Sequence, residues 1–164
     1  MENDYLKELI QKWATKGLLL DTNLFLLFVV GFADIEFIRN HKKTNRYSIA
    51  DYKFLYQIVS HFRLKLTLPN VQTEVSNLAR QTHPDMAKKI GNALQRLFTA
   101  WSELYEPSLR LTAGSHYIDY GLTDAALVSL SEKYLLVTAD GRLARRLSDL
   151  NRDVLNFNHY RPLA

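Results

Sequence analysis

The chain contains no cysteine, which excludes disulfides and any thiolate metal centre. Its opening residues, Met1-Glu2-Asn3-Asp4, carry acids where a secretory signal carries bases. It also lacks an apolar run of membrane length. The stretch from Leu18 to Phe32 is broken by Asp21 and Asn23 and falls short of the roughly 20 residues that a span needs. No internal repeat, low-complexity tract or linker divides the sequence. These absences lead to the expectation of a soluble, cytoplasmic protein, without a membrane partner, folded as one domain over residues 1–164.

What is present fits that size. Hydrophobic residues make up 47% and charged residues 23% of the 164, a globular rather than a disordered balance. The net charge of +4 mildly favours a polyanionic partner. Leu6, Leu9, Ile10 and Trp13 fall on one helical face, with Asp4 as the expected cap and Gly17 as the stop. Leu18 to Asp21 reads as a buried strand, and Asn23 to Phe32 as an apolar helix. Residues 34–47 read as a polar, basic, solvated loop. In it Lys42 and Lys43 are candidates to contact nucleic-acid phosphates.

Further along, Ser48 with Asp51 suggests a capping box. It opens a helix whose apolar side is Ile49, Tyr52, Tyr56, Val59 and Phe62. Leu64, Leu66 and Leu68 alternate as a second strand. A helix follows from Val71 to Arg80, with Glu74 expected in its first turn. The longest helical pattern runs from Asp85 to about Tyr105. Thr123 is expected to cap a helix that begins at Asp124 and runs to Lys133. Tyr134 to Thr138 reads as a buried strand, Gly141 to Leu150 as an arginine-rich helix, and Asp153 to Phe157 as a last strand. Strands that alternate with helices imply a mainly parallel sheet with helices on both faces.

Four carboxylates stand out within this frame. Asp21 and Asp140 each end an apolar strand, so a parallel sheet delivers both to its carboxyl edge, where ligands of open α/β folds bind. Glu74 and Asp124 open helices on the same side. Converging carboxylates repel and need a cation or a proton between them. Hard oxygen donors suit Mg²⁺ or Mn²⁺, ions that activate water and neutralise a phosphoryl group. Asp119 is a spare acid expected to face solvent. Arg142, Arg145 and Arg146 follow Asp140 on one helix, where the first shares a face with either of the others, and are further candidates to bind nucleic acid.

Four segments together carry a resemblance: Leu20-Asp21-Thr22-Asn23, Val71-Gln72-Thr73-Glu74-Val75, Gly121-Leu122-Thr123-Asp124-Ala125-Ala126-Leu127 and Leu136-Val137-Thr138-Ala139-Asp140. Over about residues 18–157 the chain resembles a PIN-domain ribonuclease. The resemblance implies a three-layer α/β fold and a Mg²⁺- or Mn²⁺-dependent endoribonuclease. Asp21, Glu74, Asp124 and Asp140 would be its metal ligands and catalytic acids, with Thr22 and Asn23 positioning Asp21 or a water and Thr138 doing the same beside Asp140. It further implies products with a 5′-phosphate and a 3′-hydroxyl. Among such proteins the VapC-type toxins are similar in size, which raises the expectation of a small antitoxin partner, and a homodimer is considered as well. The chain departs from them in its helix within residues 1–17 and in a longer helical insertion over 32–64. A non-catalytic RNA- or protein-binding module of the same fold is the alternative. A phosphate-receiving response-regulator domain is disfavoured, because strand one supplies a single Asp and no lysine follows Leu155.

Overall fold

The computed structural model describes residues 2–162. A first helix, α1 (Glu2–Trp13), lies across the outside and buries Leu6, Leu9 and Trp13. It runs through Asp4, which is therefore a helical residue and not the cap. The Trp13 indole N–H donates to Asp153 Oδ2 at 2.7 Å, tying the helix to the far end of the chain. Gly17 then takes φ +125°, a conformation that a side chain resists, and turns the chain into strand β1 (Leu18–Leu20).

β1 feeds directly into α2 (Thr22–Ala33), the helix around which the molecule is built. Every residue from Leu24 to Gly31 is buried. A helix that is apolar all round belongs inside, and each of its buried leucines and phenylalanines contributes roughly 1.5–3 kcal/mol. A short 3₁₀ turn (Ile35–Arg39) and α3 (Ile49–Ser60) follow. α3 packs so closely on α2 that a methyl group on Gly31 would lie 2.2 Å from the Tyr52 ring. Its capping box is present, with Ser48 N–H donating to Asp51 Oδ2 at 2.7 Å and Asp51 N–H to Ser48 Oγ at 3.1 Å. The packed face is Tyr52, Leu55, Ile58 and Val59, while Tyr56 is half exposed and stacks on Phe28.

The remaining elements are β2 (Lys65–Thr67), α4 (Pro69–Ala79), α5 (Pro84–Ala100), β3 (Ser102–Glu103), α6 (Ser108–Thr112), α7 (Ser115–Leu130), β4 (Leu135–Thr138), α8 (Gly141–Asp149), β5 (Val154–Asn156) and α9 (Phe157–Tyr160). The five strands form one sheet in the order β3-β2-β1-β4-β5, and every pairing is parallel. β1 to β3 wind outward on one side and β4 to β5 on the other. Right-handed crossovers then place their helices on opposite faces, giving the three-layer α/β architecture expected. Among the described residues, no helix is long and apolar enough to cross a membrane.

Several expectations need correction. The helix expected to reach Tyr105 stops at Ala100, and Ser102–Glu103 pairs with Leu66–Thr67 as a fifth strand. Pro69 supplies the first residue of α4, a position suited to proline, so Glu74 falls in the second turn and not the first. The segment 34–47 is not simply solvated: Ile38, His41, Thr44 and Tyr47 are buried, and Thr44 Oγ1 donates to the Ile38 carbonyl at 2.7 Å. Thr123 lies inside α7 and is not its cap. The break lies at Gly121, inside α7, where φ 79° and ψ 178° interrupt the helix.

Candidate functional site

The site grows from the junction of β1 and β4. This is where the strand order reverses, the position at which open α/β sheets leave a crevice at their carboxyl edge. Asp21 is the residue after β1 and the N-cap of α2. It is only 3% exposed, and three donors hold it. Leu24 N–H donates to Oδ1 at 2.7 Å, and Ala139 N–H donates to Oδ2 at 2.8 Å. The Thr138 hydroxyl also donates to Oδ2. Burial pushes its carboxyl above the usual range, against the pull of these hydrogen bonds, and the charge of Asp140 adds to the rise.

Thr138, the last residue of β4, works in two directions. Its hydroxyl donates to Asp21 and accepts from Asp140 N–H at 2.9 Å. It therefore couples the two acids across neighbouring strands. Asp140 caps α8: its Oδ1 accepts from Arg142 N–H at 2.8 Å and Leu143 N–H at 3.2 Å. Among the described residues no protein donor reaches its Oδ2, and the residue is exposed. Both acids thus sit at helix N-termini, whose partial positive charge favours anions.

Glu74 and Asp124 close the cleft from the other side. Glu74 projects from α4, and Thr22 Oγ1 donates to its Oε2 at 2.9 Å. Thr22, expected to position Asp21 or a water, has Glu74 as its hydrogen-bond partner. Asp124 follows the Gly121 break, in the first turn of the resumed helix. It is half-buried, and its carboxyl is pushed up to about 6 by burial and then by the charges of Asp140, Asp21 and Glu74, with Arg142 pulling the other way. Asp21, Glu74, Asp124 and Asp140 line a single cleft of about 410 Å³, together with Thr22 and Asn23. Among the described residues, however, no three Asp, Glu or His side chains form a ready-made metal cage.

The basic candidates separate. Arg142 stands beside the cleft: its guanidinium lies 4.6 Å from the Tyr120 ring centroid, and Nη2 donates to the Asp119 carbonyl at 2.9 Å. Arg146 faces the same helix, with Nη2 at 3.3 Å from His116 Nδ1. Arg145 points elsewhere, into a hollow beside Tyr5 and His159. Lys42 and Lys43 are exposed but do not line the cleft. Asp119 is exposed, as expected.

No protein-family model matches the chain, and the search of curated proteins finds no relative. The functional reading therefore rests on the geometry of the site.

Residues that the sequence did not single out complete it. Tyr120 and Leu78 line the cleft; Gly121, which opens the third motif, also lines it and interrupts α7 there. The signal for Gly121 was available, since a glycine between two helical patterns marks a break. Nothing in the sequence distinguished Tyr120 from the other tyrosines.

Proposed function

We propose that the chain is a PIN-type, Mg²⁺- or Mn²⁺-dependent endoribonuclease. The observation that carries this reading is the convergence of Asp21, Glu74, Asp124 and Asp140 on one cleft, close enough that three of them raise the proton affinity of the fourth. Four carboxylates at the switch point of a parallel sheet make a strongly negative hollow, and a divalent cation relieves it.

The donor set suits such an ion. Mg²⁺ keeps several of its waters and takes only one or two carboxylates directly, so a cleft without a three-ligand cage is compatible with it. Asp140 Oδ2 and the Asp124 carboxylate are the groups best able to reach it, while Asp21 is held by its three donors. When bound, the ion would activate water and neutralise charge on a phosphoryl group.

The chain's own residues supply the rest. Thr138 fixes Asp21 and Asp140 relative to one another, and Thr22 fixes Glu74. The N-terminal ends of α2 and α8 face the cleft and would orient a phosphate. In-line attack by water on phosphorus breaks the bond to the 3′-oxygen, leaving a 5′-phosphate and a 3′-hydroxyl.

The test is cleavage of a mixed single-stranded RNA by the purified chain, with Mn²⁺, with Mg²⁺ and with chelator. Metal-dependent cleavage that is lost in Asp140→Asn supports the reading. A second reading, a binding module of the same fold that does not cut, is favoured by the lack of a ready-made metal cage. It takes over if the wild type binds RNA yet leaves it intact under all three conditions.

A further inference from the structure

A second hollow, of about 510 Å³, adjoins the acidic cleft and shares Glu74, Leu122 and Thr123 with it. Resting on the nuclease reading, we propose that this hollow is the subsite for one unpaired nucleobase next to the phosphate that is cut, with a preference for bases that carry an exocyclic amino group.

Four features lead there. The first is the stripe on α4. Asn70, Thr73, Glu74 and Asn77 recur at i, i+3, i+4 and i+7, the spacing of one helical face, and all four line the hollow. This face is polar where the opposite one buries Val71 and Val75. Two amides, a hydroxyl and a carboxylate on one wall form a hydrogen-bonding surface of the kind that reads the edge of a base.

The second feature is an aromatic side chain in the same lining. Tyr105 lies just beyond β3 and is 73% exposed. A ring left in water beside a polar hollow is a stacking platform, and stacking on a base is the usual use of such a ring in single-strand recognition.

The third is charge. Among the described residues no lysine or arginine lines the hollow, while Glu74 and Glu106 do. Two carboxylates repel a phosphate and accept hydrogen bonds from amino groups, as Asp and Glu do from cytosine N4. The occupant is therefore the base and not the backbone. Adenine, cytosine and guanine offer an amino donor, and uracil does not.

The fourth is continuity. Glu74 is the wall between the two hollows: Thr22 holds it from the acidic side, and Asn70, Thr73 and Asn77 flank it on the other. A base seated against Glu74 places its own phosphate towards the acids. A base inside a duplex presents no free face to Tyr105, so the subsite selects single strands.

The experiment measures binding as well as cleavage. The protein is Asp140→Asn, which keeps this hollow, with and without Tyr105→Ala or Asn77→Ala added. The probes are short single-stranded RNA oligonucleotides in which an abasic residue is walked through each position. The expected result is one position where removal of the base weakens binding by roughly 5- to 100-fold, uracil weakens it less than that, and neither change matters once Tyr105 or Asn77 is truncated. Equal abasic effects with and without the truncations would overturn the subsite, as would duplex bound as tightly as single strand or no measurable binding of any oligonucleotide. Cleavage by the wild-type chain is scored separately. A position-specific abasic effect without cleavage leaves the base subsite standing and removes the nuclease. Cleavage without that effect does the reverse.

Discussion

The two walls of the acidic cleft are built in opposite ways. The wall formed by β1 and β4 centres on a buried, tied acid: Asp21 accepts three hydrogen bonds, Thr138 bridges to the exposed Asp140, and the strands behind them are covered. The wall formed by α7 is open. It begins at a broken helix, carries exposed Tyr117 and Ile118, and holds an Asp124 for which the described residues provide no side-chain hydrogen bond. One wall fixes an acid by donors, and the other raises the proton affinity of its acid by burial and then by neighbouring charges. The lesson is that the two acids answer to different forces. Substitution on the tied wall breaks hydrogen bonds, while on the open wall it changes electrostatics and backbone conformation.

The largest expected effect is on the tied wall. Asp21→Asn exchanges a carboxylate oxygen for an amide N–H₂, and either orientation of the amide points donors at donors: Leu24 N–H on one side, Thr138 and Ala139 on the other. Metal-dependent cleavage should fall by a hundred-fold to about a thousand-fold or more. Stability should also drop by about 1–3 kcal/mol, the cost of unpaired buried groups. This outweighs the relief of like-charge repulsion that the sequence alone suggests for this change. Cleavage assays and urea denaturation of one protein preparation check both; a variant that cuts normally would sever Asp21 from the chemistry.

Next comes Gly121→Ala. The backbone there has φ 79° and ψ 178°, a region open essentially to glycine, so alanine should cost about 1–3 kcal/mol. No neighbour lies within 4 Å of the added methyl group, which makes the penalty one of backbone conformation alone. A melting temperature unchanged from wild type would mean that the break relaxes freely.

The open wall also predicts a pH dependence. Asp124 has a folded pKa near 6 against 3.8 in the unfolded chain. Between those values the native state holds a proton that the unfolded state has lost. Stability of the metal-free protein should therefore decline as pH rises from about 4 to about 6 and level off above. The drop is about 1–3 kcal/mol for Asp124, after allowance for its partial exposure. Asp21, also raised, acts in the same direction. Urea midpoints across this range should flatten in Asp124→Asn; parallel slopes in the two proteins would show that Asp124 is not strained.

The smallest effect concerns Arg142, whose charge lowers the Asp124 pKa from beside the cleft. Arg142→Ala should raise that pKa further. It should cost less than about 1 kcal/mol of stability, as expected for an exposed charge. NMR titration of the Asp124 carboxyl reads the shift directly, and no movement would place Arg142 out of electrostatic reach.

The buried half of the molecule was legible because apolar runs leave little choice. Leu18-Leu19-Leu20 and Leu135-Leu136-Val137 could only be interior strands, and each hands an Asp to the same edge. That logic marks Asp21 and Asp140, while Glu74 and Asp124 stand out as acids near the starts of helices on the same side. β3 was not legible. Ser102 and Glu103 are both exposed, so nothing in their pattern marks a strand, and Trp101 continues the helical spacing of α5. Their state is set by pairing with Leu66 and Thr67, a tertiary cause. The first half of α7 escaped for a related reason: Tyr117 and Ile118 face outward, so the period that reveals a helix is missing. The burial of His41 and Thr44 depends on how residues 34–47 fold back over the chain, which no local pattern encodes.

The pairing of β1 with β4 has a consequence for synthesis. Asp21 and Thr138 are 117 residues apart, and Leu18 waits for Leu135 before its second edge is covered. At 5–20 residues per second the ribosome takes roughly 6–24 s to deliver that partner. During this interval the nascent chain can pair β1 with β2 and seat α2, yet it carries an open leucine edge and lacks half of its acids. Chaperone demand should concentrate in this window, and the acidic cleft cannot exist until nearly the last strand has emerged.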